Sequence, residues 1–141
     1  MAAFVVDTSA VMSVLLHETD AETFRVYLDE TPSPCISTAT LYETFCVLRR
    51  DSLRAAKPGL ERLLSLLQPE IVPFDVEQFI AARSCYESYG RGSGHRAGLN
   101  FGDCFAYALA KTRGLPLLFK GDDFAHTDIE AALAPDRDLP A

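Results

Sequence analysis

The chain has 141 residues, 48 % of them hydrophobic, with 13 Lys and Arg against 20 Asp and Glu, a formal net charge of −7 and a pI near 4.8. Such a length and apolar content suit one globular domain with a full core and exclude a disordered chain. No apolar run approaches the roughly 18 residues that cross a bilayer, and the negative balance taken alone argues against a general nucleic-acid binder.

No basic stretch precedes Phe4-Val5-Val6, so no secretory leader is expected and the expected compartment is the cytoplasm. Cys35, Cys46, Cys85 and Cys104 are scattered through apolar stretches with no Cys-x-x-Cys pair, which argues against zinc and for reduced core thiols.

Phe4-Val5-Val6 reads as a short buried strand, with the hydroxyls of Thr8 and Ser9 placed to cap a helix over Ala10–His17. Asp20 opens a second helix to about Asp29, and Thr31-Pro32-Ser33-Pro34 breaks it. Cys35-Ile36 is a minimal strand, followed by a helix capped by Ser37 or Thr38 and running to about Arg50. Lys57-Pro58-Gly59 predicts a break, after which Leu60, Leu63, Leu64 and Leu67 recur at helical spacing. Ile71–Phe74 is a third strand, with Pro73 marking its end or a sheet edge. Asp75 and Gln78 form a capping-box pattern for a helix to about Tyr89. Gly90–Gly98 holds half of the eight glycines and predicts a flexible loop. A helix follows from Asp103 to Arg113 and stops at Gly114. Pro116–Phe119 is the fourth strand, Gly121-Asp122-Asp123 a turn, and a short helix is expected near Asp128–Leu133. The alternation predicts an α/β sandwich around a mainly parallel sheet: one domain over residues 1–134, with a loose tail over 135–141.

The informative residues are acids in apolar company. Asp7 ends the first strand, Glu43 lies within Ala39–Leu48, Asp103 within Leu99–Ala110, and Asp122 and Asp123 follow the fourth strand. No Lys or Arg stands within a helical turn of Asp7 or Asp103. Buried carboxylates cost several kcal/mol unless paired. In an open parallel sheet, residues that follow strands gather at one rim, so these acids can converge there around a divalent cation. An all-oxygen set suits Mg²⁺ or Mn²⁺ rather than zinc. Each acid also has an ordinary reading: Asp7 as a helix cap, Glu43 as a solvated face, Asp103 as compensation of a helix dipole, Asp122 and Asp123 as turn formers. Thr8 or Ser9 could position water or phosphate, or simply cap. Two basic groups, Arg49/Arg50/Arg54/Lys57/Arg62 and Arg83/Arg91/His95/Arg96, offer local positive charge despite the net balance.

Asp7-Thr8-Ser9-Ala10, Tyr42-Glu43, the stretch Leu99–Cys104 (LNFGDC) with the helix behind it, and Phe119–Phe124 (FKGDDF) with Thr127-Asp128 resemble the PIN-domain ribonucleases, in particular the toxins of VapBC toxin–antitoxin pairs, over roughly residues 4 to 130. The resemblance implies a PIN-like three-layer sandwich with a short sheet of about four to five strands flanked by helices. It implies a small homodimeric Mg²⁺-dependent endoribonuclease silenced by a cognate antitoxin. Asp7, Glu43 and Asp103 match the first three acids of the family. Many relatives read D-x-D-F where this chain has Gly121-Asp122-Asp123-Phe124, so the fourth acid is Asp122 or Asp123, with Asp122 favoured because Asp123 could cap the short helix that follows.

Three rivals are weaker. A phosphatase would want a second Asp at position 9, where Ser9 stands. A receiver-like signalling module would use Lys120 but lacks a phosphoacceptor Asp after the third strand. A binding module with a degenerate site would not keep every acid.

Overall fold

The computed structural model describes residues 2–133, so the expected tail over 135–141 lies outside the described residues. Four strands, β1 (Phe4–Val6), β2 (Pro34–Ser37), β3 (Glu70–Val72) and β4 (Leu117–Leu118), form a sheet in the order β3-β2-β1-β4. Every pairing is parallel: Val5 lies opposite Cys35 and Leu117, and Ile36 opposite Ile71. Six helices surround it: α1 (Thr8–Leu15), α2 (Ala21–Glu30), α3 (Thr38–Leu48), α4 (Lys57–Leu67), α5 (Val76–Tyr89) and α6 (Asp103–Arg113). Among the described residues no helix is long and apolar enough to cross a membrane.

The period-2 alternation of strand side chains divides the core into two layers. Val5, Cys35 and Leu117 point into a cluster with Ala82 and Cys85 of α5 and Ala106–Ala110 of α6. Phe4, Val6, Ile36 and Leu118 point the other way, onto Val11 and Val14 of α1 and Phe24 and Leu28 of α2, with Leu60, Leu63 and Leu67 of α4 closing the margin. Both faces of the sheet are covered, as parallel strands require. The middle of helix α6, Ala106–Ala110, is buried, so its polar residues stand at its two ends: Asp103 at the first turn and the exposed Lys111 and Arg113 at the last.

The structure corrects several local expectations. Lys57-Pro58-Gly59 does not break the chain; it is the first turn of α4, where Pro lacks an N–H that would go unpaired anyway. A 3-10 stretch, Asp51–Ala56, separates α4 from α3, which ends at Leu48 rather than Arg50. Helix α1 ends at Leu15, before His17, whose φ of 52° is left-handed. No helix forms near Asp128–Leu133. Phe124–His126 makes a 3-10 turn, and Ala131 then bridges Leu117 in parallel, with Leu117 N–H donating to Glu130 O and Ala132 N–H to Leu117 O, each at 2.9 Å. The backbone groups of β4 on that edge need partners, and this extended segment supplies them. The two ends of the glycine loop are joined: Arg91 N–H donates to Leu99 O and Leu99 N–H to Tyr89 O, both at 2.9 Å. Cys35, Cys85 and Cys104 are buried as expected, whereas Cys46 is exposed.

Asp75 caps α5 by accepting the Gln78 N–H at 2.9 Å, while the Gln78 side chain turns to Pro73 O rather than completing a reciprocal box. Asp75 lies away from the site described next, so Asp75→Ala should cost only the cap, about 1 kcal/mol. Urea denaturation checks this, with Asp75→Asn recovering most of the loss.

Candidate active site

β1 is central, and the strand ladder carries its end into the protein: Asp7 N–H still donates to Leu118 O at 3.0 Å. The chain then turns directly into α1. Asp7, not Thr8 or Ser9, is the cap; its Oδ2 accepts from Ser9 N–H at 2.9 Å and from Ser9 Oγ at 2.6 Å. The capping and the site readings of Asp7 are therefore compatible, one oxygen serving each. The other oxygen, Oδ1, is buried with no hydrogen-bond partner. Ser9 Oγ also accepts the Lys120 N–H at 2.9 Å, which ties the ends of β1 and β4 together.

Glu43 arrives from the second turn of α3. Its Oε1 accepts from Thr8 Oγ1 at 2.7 Å. Its Oε2 lies against Gly102, where a β-carbon would fall only 1.6 Å from it. Asp103 stands at the start of α6 and is held by a reciprocal pair: Asn100 N–H donates to Asp103 Oδ2 at 3.0 Å, and Asp103 N–H to Asn100 Oδ1 at 2.9 Å. Asp103 thus does complement the helix start, and it is also half-buried beside the other acids.

The charges act on one another. Asp7, 2 % exposed, is pushed up to about 7, first by burial and then by the negative charges of Asp103 and Glu43, against the lowering effect of the two Ser9 hydrogen bonds. Asp103 is raised to about 6 by burial, with Glu43 and Asp123 adding to the rise; the Asn100 N–H and the Arg91 cation oppose it. Asp122 and Asp123 are both exposed on the turn after β4. Asp123 occupies the cap position of the 3-10 turn without a side-chain capping bond, so its carboxylate is not engaged there.

Among the described residues, no three His, Cys, Asp or Glu side chains stand as a preformed metal cage. The donor chemistry nonetheless fits a hard divalent cation: carboxylate oxygens, like-charged and partly desolvated, one of them buried without a donor. Asp7, Glu43 and Asp103 are the residues that could hold it.

Other candidates fall elsewhere. Lys120 Nζ is bound to Glu18 and Asp20, an arrangement unlike a receiver's free rim lysine. His95 accepts the Ala97 N–H at 3.0 Å on Nδ1 and packs edge-on against Tyr89, a structural role in the glycine loop. Of the basic groups, Arg91 acts on Asp103, while Arg83 pairs with Glu87. Sequence reasoning missed Gly102, whose signal was a glycine one position before a candidate acid at a helix start. It also missed Thr44, discussed below.

The PIN domain family matches residues 4–130. The chain belongs to that family. It is 44 % identical over 134 residues to "Ribonuclease VapC30" of Mycobacterium tuberculosis, covering 93 % of this chain and 99 % of the relative. It is 45 % identical over 130 residues to "Ribonuclease VapC" of Mycolicibacterium smegmatis, covering 90 % and 98 %. Among solved structures, VapC20 of M. tuberculosis, described as a sarcin-ricin loop cleaving toxin, superimposes with a TM-score of 0.71 at 20 % identity over 94 % of this chain and all of that one. DNA-bound VapBC from Salmonella typhimurium gives 0.65 at 18 % identity, over 93 % and 96 %. At those identities the structural likeness speaks for the fold, and it is the PIN fold.

The raised acids of this PIN domain set its pH behaviour. Asp7 titrates near 7 when folded and near 3.8 as an ordinary side chain, so between these values the native state holds more protons than the unfolded one. Metal-free stability should therefore fall as pH rises from about 4 to 7. Asp7→Asn removes the charge and keeps a capping oxygen. In chelator it should melt above wild type at pH 8, with the gap closing toward pH 4, as followed by thermal melts across that range.

Proposed function

We propose that this PIN domain is a Mg²⁺-dependent endoribonuclease, with Mn²⁺ as an alternative ion, and the toxin of a toxin–antitoxin pair acting in the cytoplasm. The observation that carries the reading is the convergence of Asp7, Glu43 and Asp103 at the rim of the sheet, with the buried Asp7 Oδ1 unpartnered. The 44 % identity to a mycobacterial VapC ribonuclease supports it. Residues 1–134 form the catalytic domain in this reading, and 135–141 a short tail.

Asp7, Glu43 and Asp103 would hold the ion, which when bound activates water and withdraws charge from the scissile phosphate. The chain's own contribution is positioning. Ser9 fixes one oxygen of Asp7 and leaves the other directed away from the cap. Thr8 and Gly102 hold Glu43 from two sides. Asn100 orients Asp103. Arg91, beside Asp103, supplies a positive charge for an adjoining phosphate of the RNA, which offsets the repulsion expected from a net −7 chain. Asp123 is the fourth acid, because its charge reaches Asp103 and its side chain is not used as a cap.

The antitoxin in this proposal places an Arg or Lys among the same acids, replacing the cation's charge, and the toxin itself is a homodimer. The protein freed of its partner should cleave RNA with Mg²⁺ or Mn²⁺ and stop in EDTA; continued cleavage in excess chelator, by a preparation free of contaminating nuclease, would rule the mechanism out. Gly102→Ala forces Glu43 from its place and should lower cleavage on the order of 100-fold, close to the effect of Glu43→Gln, in a protein that still folds. Asp123→Asn should depress both rate and metal affinity, whereas Asp122→Asn, at an exposed side chain, should change neither by more than about two-fold. Steady-state cleavage of a fluorogenic RNA separates the two.

A further inference from the structure

Two hydroxyl groups, a carboxylate and a backbone carbonyl meet where α1 crosses α3. Thr8 Oγ1 lies 2.7 Å from Glu43 Oε1 and 3.0 Å from Thr44 Oγ1, and Thr44 Oγ1 lies 2.9 Å from Thr40 O. Thr40 and Thr44 are fully buried. A threonine that bonds the carbonyl four residues back is common inside a helix, and that habit alone would explain the Thr44–Thr40 contact. It does not explain why the same oxygen meets a hydroxyl 36 positions away that is itself bound to a site acid. An apolar residue of the same shape would pack there without the cost of burying a hydroxyl.

Counting protons gives the chain a direction. An ionised carboxylate only accepts, so Thr8 gives its one hydroxyl proton to Glu43. Thr44 has one proton for two acceptors, Thr40 O at 2.9 Å and Thr8 Oγ1 at 3.0 Å, and shares it between them in a three-centre bond. A hydroxyl that accepts one hydrogen bond donates a stronger one, and it loses the freedom to rotate toward the Thr40 carbonyl, 3.5 Å from Thr8 Oγ1. With Gly102 against Oε2 and Thr8 against Oε1, Glu43 is held on both oxygens.

We infer that Thr44 is a positioning residue for the candidate site, acting through Thr8 to hold Glu43 in the orientation from which it would bind a divalent cation. The inference rests on the proposed metal-dependent nuclease reading. Hydrogen-bond partners one step behind a metal ligand typically govern 10- to 100-fold in metal affinity, and Thr44 stands a further step behind.

The test uses the full chain freed of any partner and two readouts: binding of Mn²⁺ alone, followed by electron paramagnetic resonance of the free ion, and RNA cleavage as a function of Mg²⁺. Thr44→Val should weaken Mn²⁺ binding by about 10-fold and raise the Mg²⁺ needed for half-maximal cleavage by a similar factor, with the rate at saturating Mg²⁺ largely retained. Thr44→Ser, which restores the hydroxyl, should bind as wild type. Thr40→Val is the control, because the Thr40 hydroxyl is buried without a hydrogen-bond partner; it should bind as wild type too. Thr8→Val should be at least as impaired as Thr44→Val, and the double variant no worse than Thr8→Val, since Thr44 acts through Thr8. Equal Mn²⁺ affinity in Thr44→Val and Thr40→Val overturns the assignment, as does a Thr44→Ser variant as weak as Thr44→Val. Should Thr44→Val fail to fold, the Thr44→Ser and Thr8→Val comparisons decide by the same criteria. A wild-type protein that neither binds Mn²⁺ nor cleaves RNA would instead bring down the nuclease reading itself.

Discussion

Asp7 is a carboxylate at the end of the central strand of a sheet covered on both faces, and it is 2 % exposed. Much of the architecture around it follows from that placement. Bulk water cannot solvate the charge, so the protein surrounds half of it with donors: the N-terminus of α1 and the Ser9 hydroxyl both serve Oδ2. Ser9 in turn receives the backbone of Lys120, so the last strand is drawn in against the first. The remaining oxygen is buried without a donor, and the charges of Asp103 and Glu43 make the ionisation of Asp7 harder still. A chain selected for stability alone would place an apolar or neutral polar residue here. Keeping the acid means that some of the folding free energy is held as unresolved electrostatic repulsion, which a bound cation would relieve.

Rigidity is uneven around this centre. Helix α6 delivers Asp103 from an element whose middle is buried, so its position is dictated by core packing. Glu43 comes from a helix with one buried side and exposed Tyr42, Phe45 and Cys46 on the other, and it needs local fixing by Thr8 and Gly102. Asp123 sits on an exposed turn and has only long-range electrostatics to link it to the rest. The site therefore grades from an acid fixed by core packing to one on an exposed turn, and substitutions in the surrounding residues should matter most where the scaffold itself does least.

The layered α/β architecture was legible because its signals are periodic: short apolar strands, helices of 3.6-residue spacing, and capping patterns such as Asp75 with Gln78. The candidate acids were legible because a carboxylate among apolar residues contradicts its surroundings. What failed was punctuation. Pro58 reads as a breaker, yet the first turn of a helix tolerates it, and only packing of Leu60 and Leu63 against α1 and α2 decides between the two. The final segment near Ala131 has helical composition, but the open edge of β4 recruits it as extended chain. Gly102, Thr44 and the bond from Thr8 to Glu43 were out of reach for another reason. Their importance lies in contacts between α1, α3 and the start of α6, more than 30 positions apart for Thr8 and Glu43, and no local pattern encodes such a meeting.

The bond between Ser9 and Lys120 spans 111 positions. A ribosome adds about 5–20 residues per second, so the first strand emerges seconds before the last one that completes the rim. During that interval Asp7 has no β4 beside it, Asp103 has no turn of acids opposite, and the central strand of the sheet lacks one neighbour. A chain that stops short of β4 lacks the tie from Lys120 to Ser9 and the turn that carries Asp123. For a protein whose activity would be directed at RNA, the order of the strands ensures that the cutting centre cannot assemble while the polypeptide is still being translated through its middle.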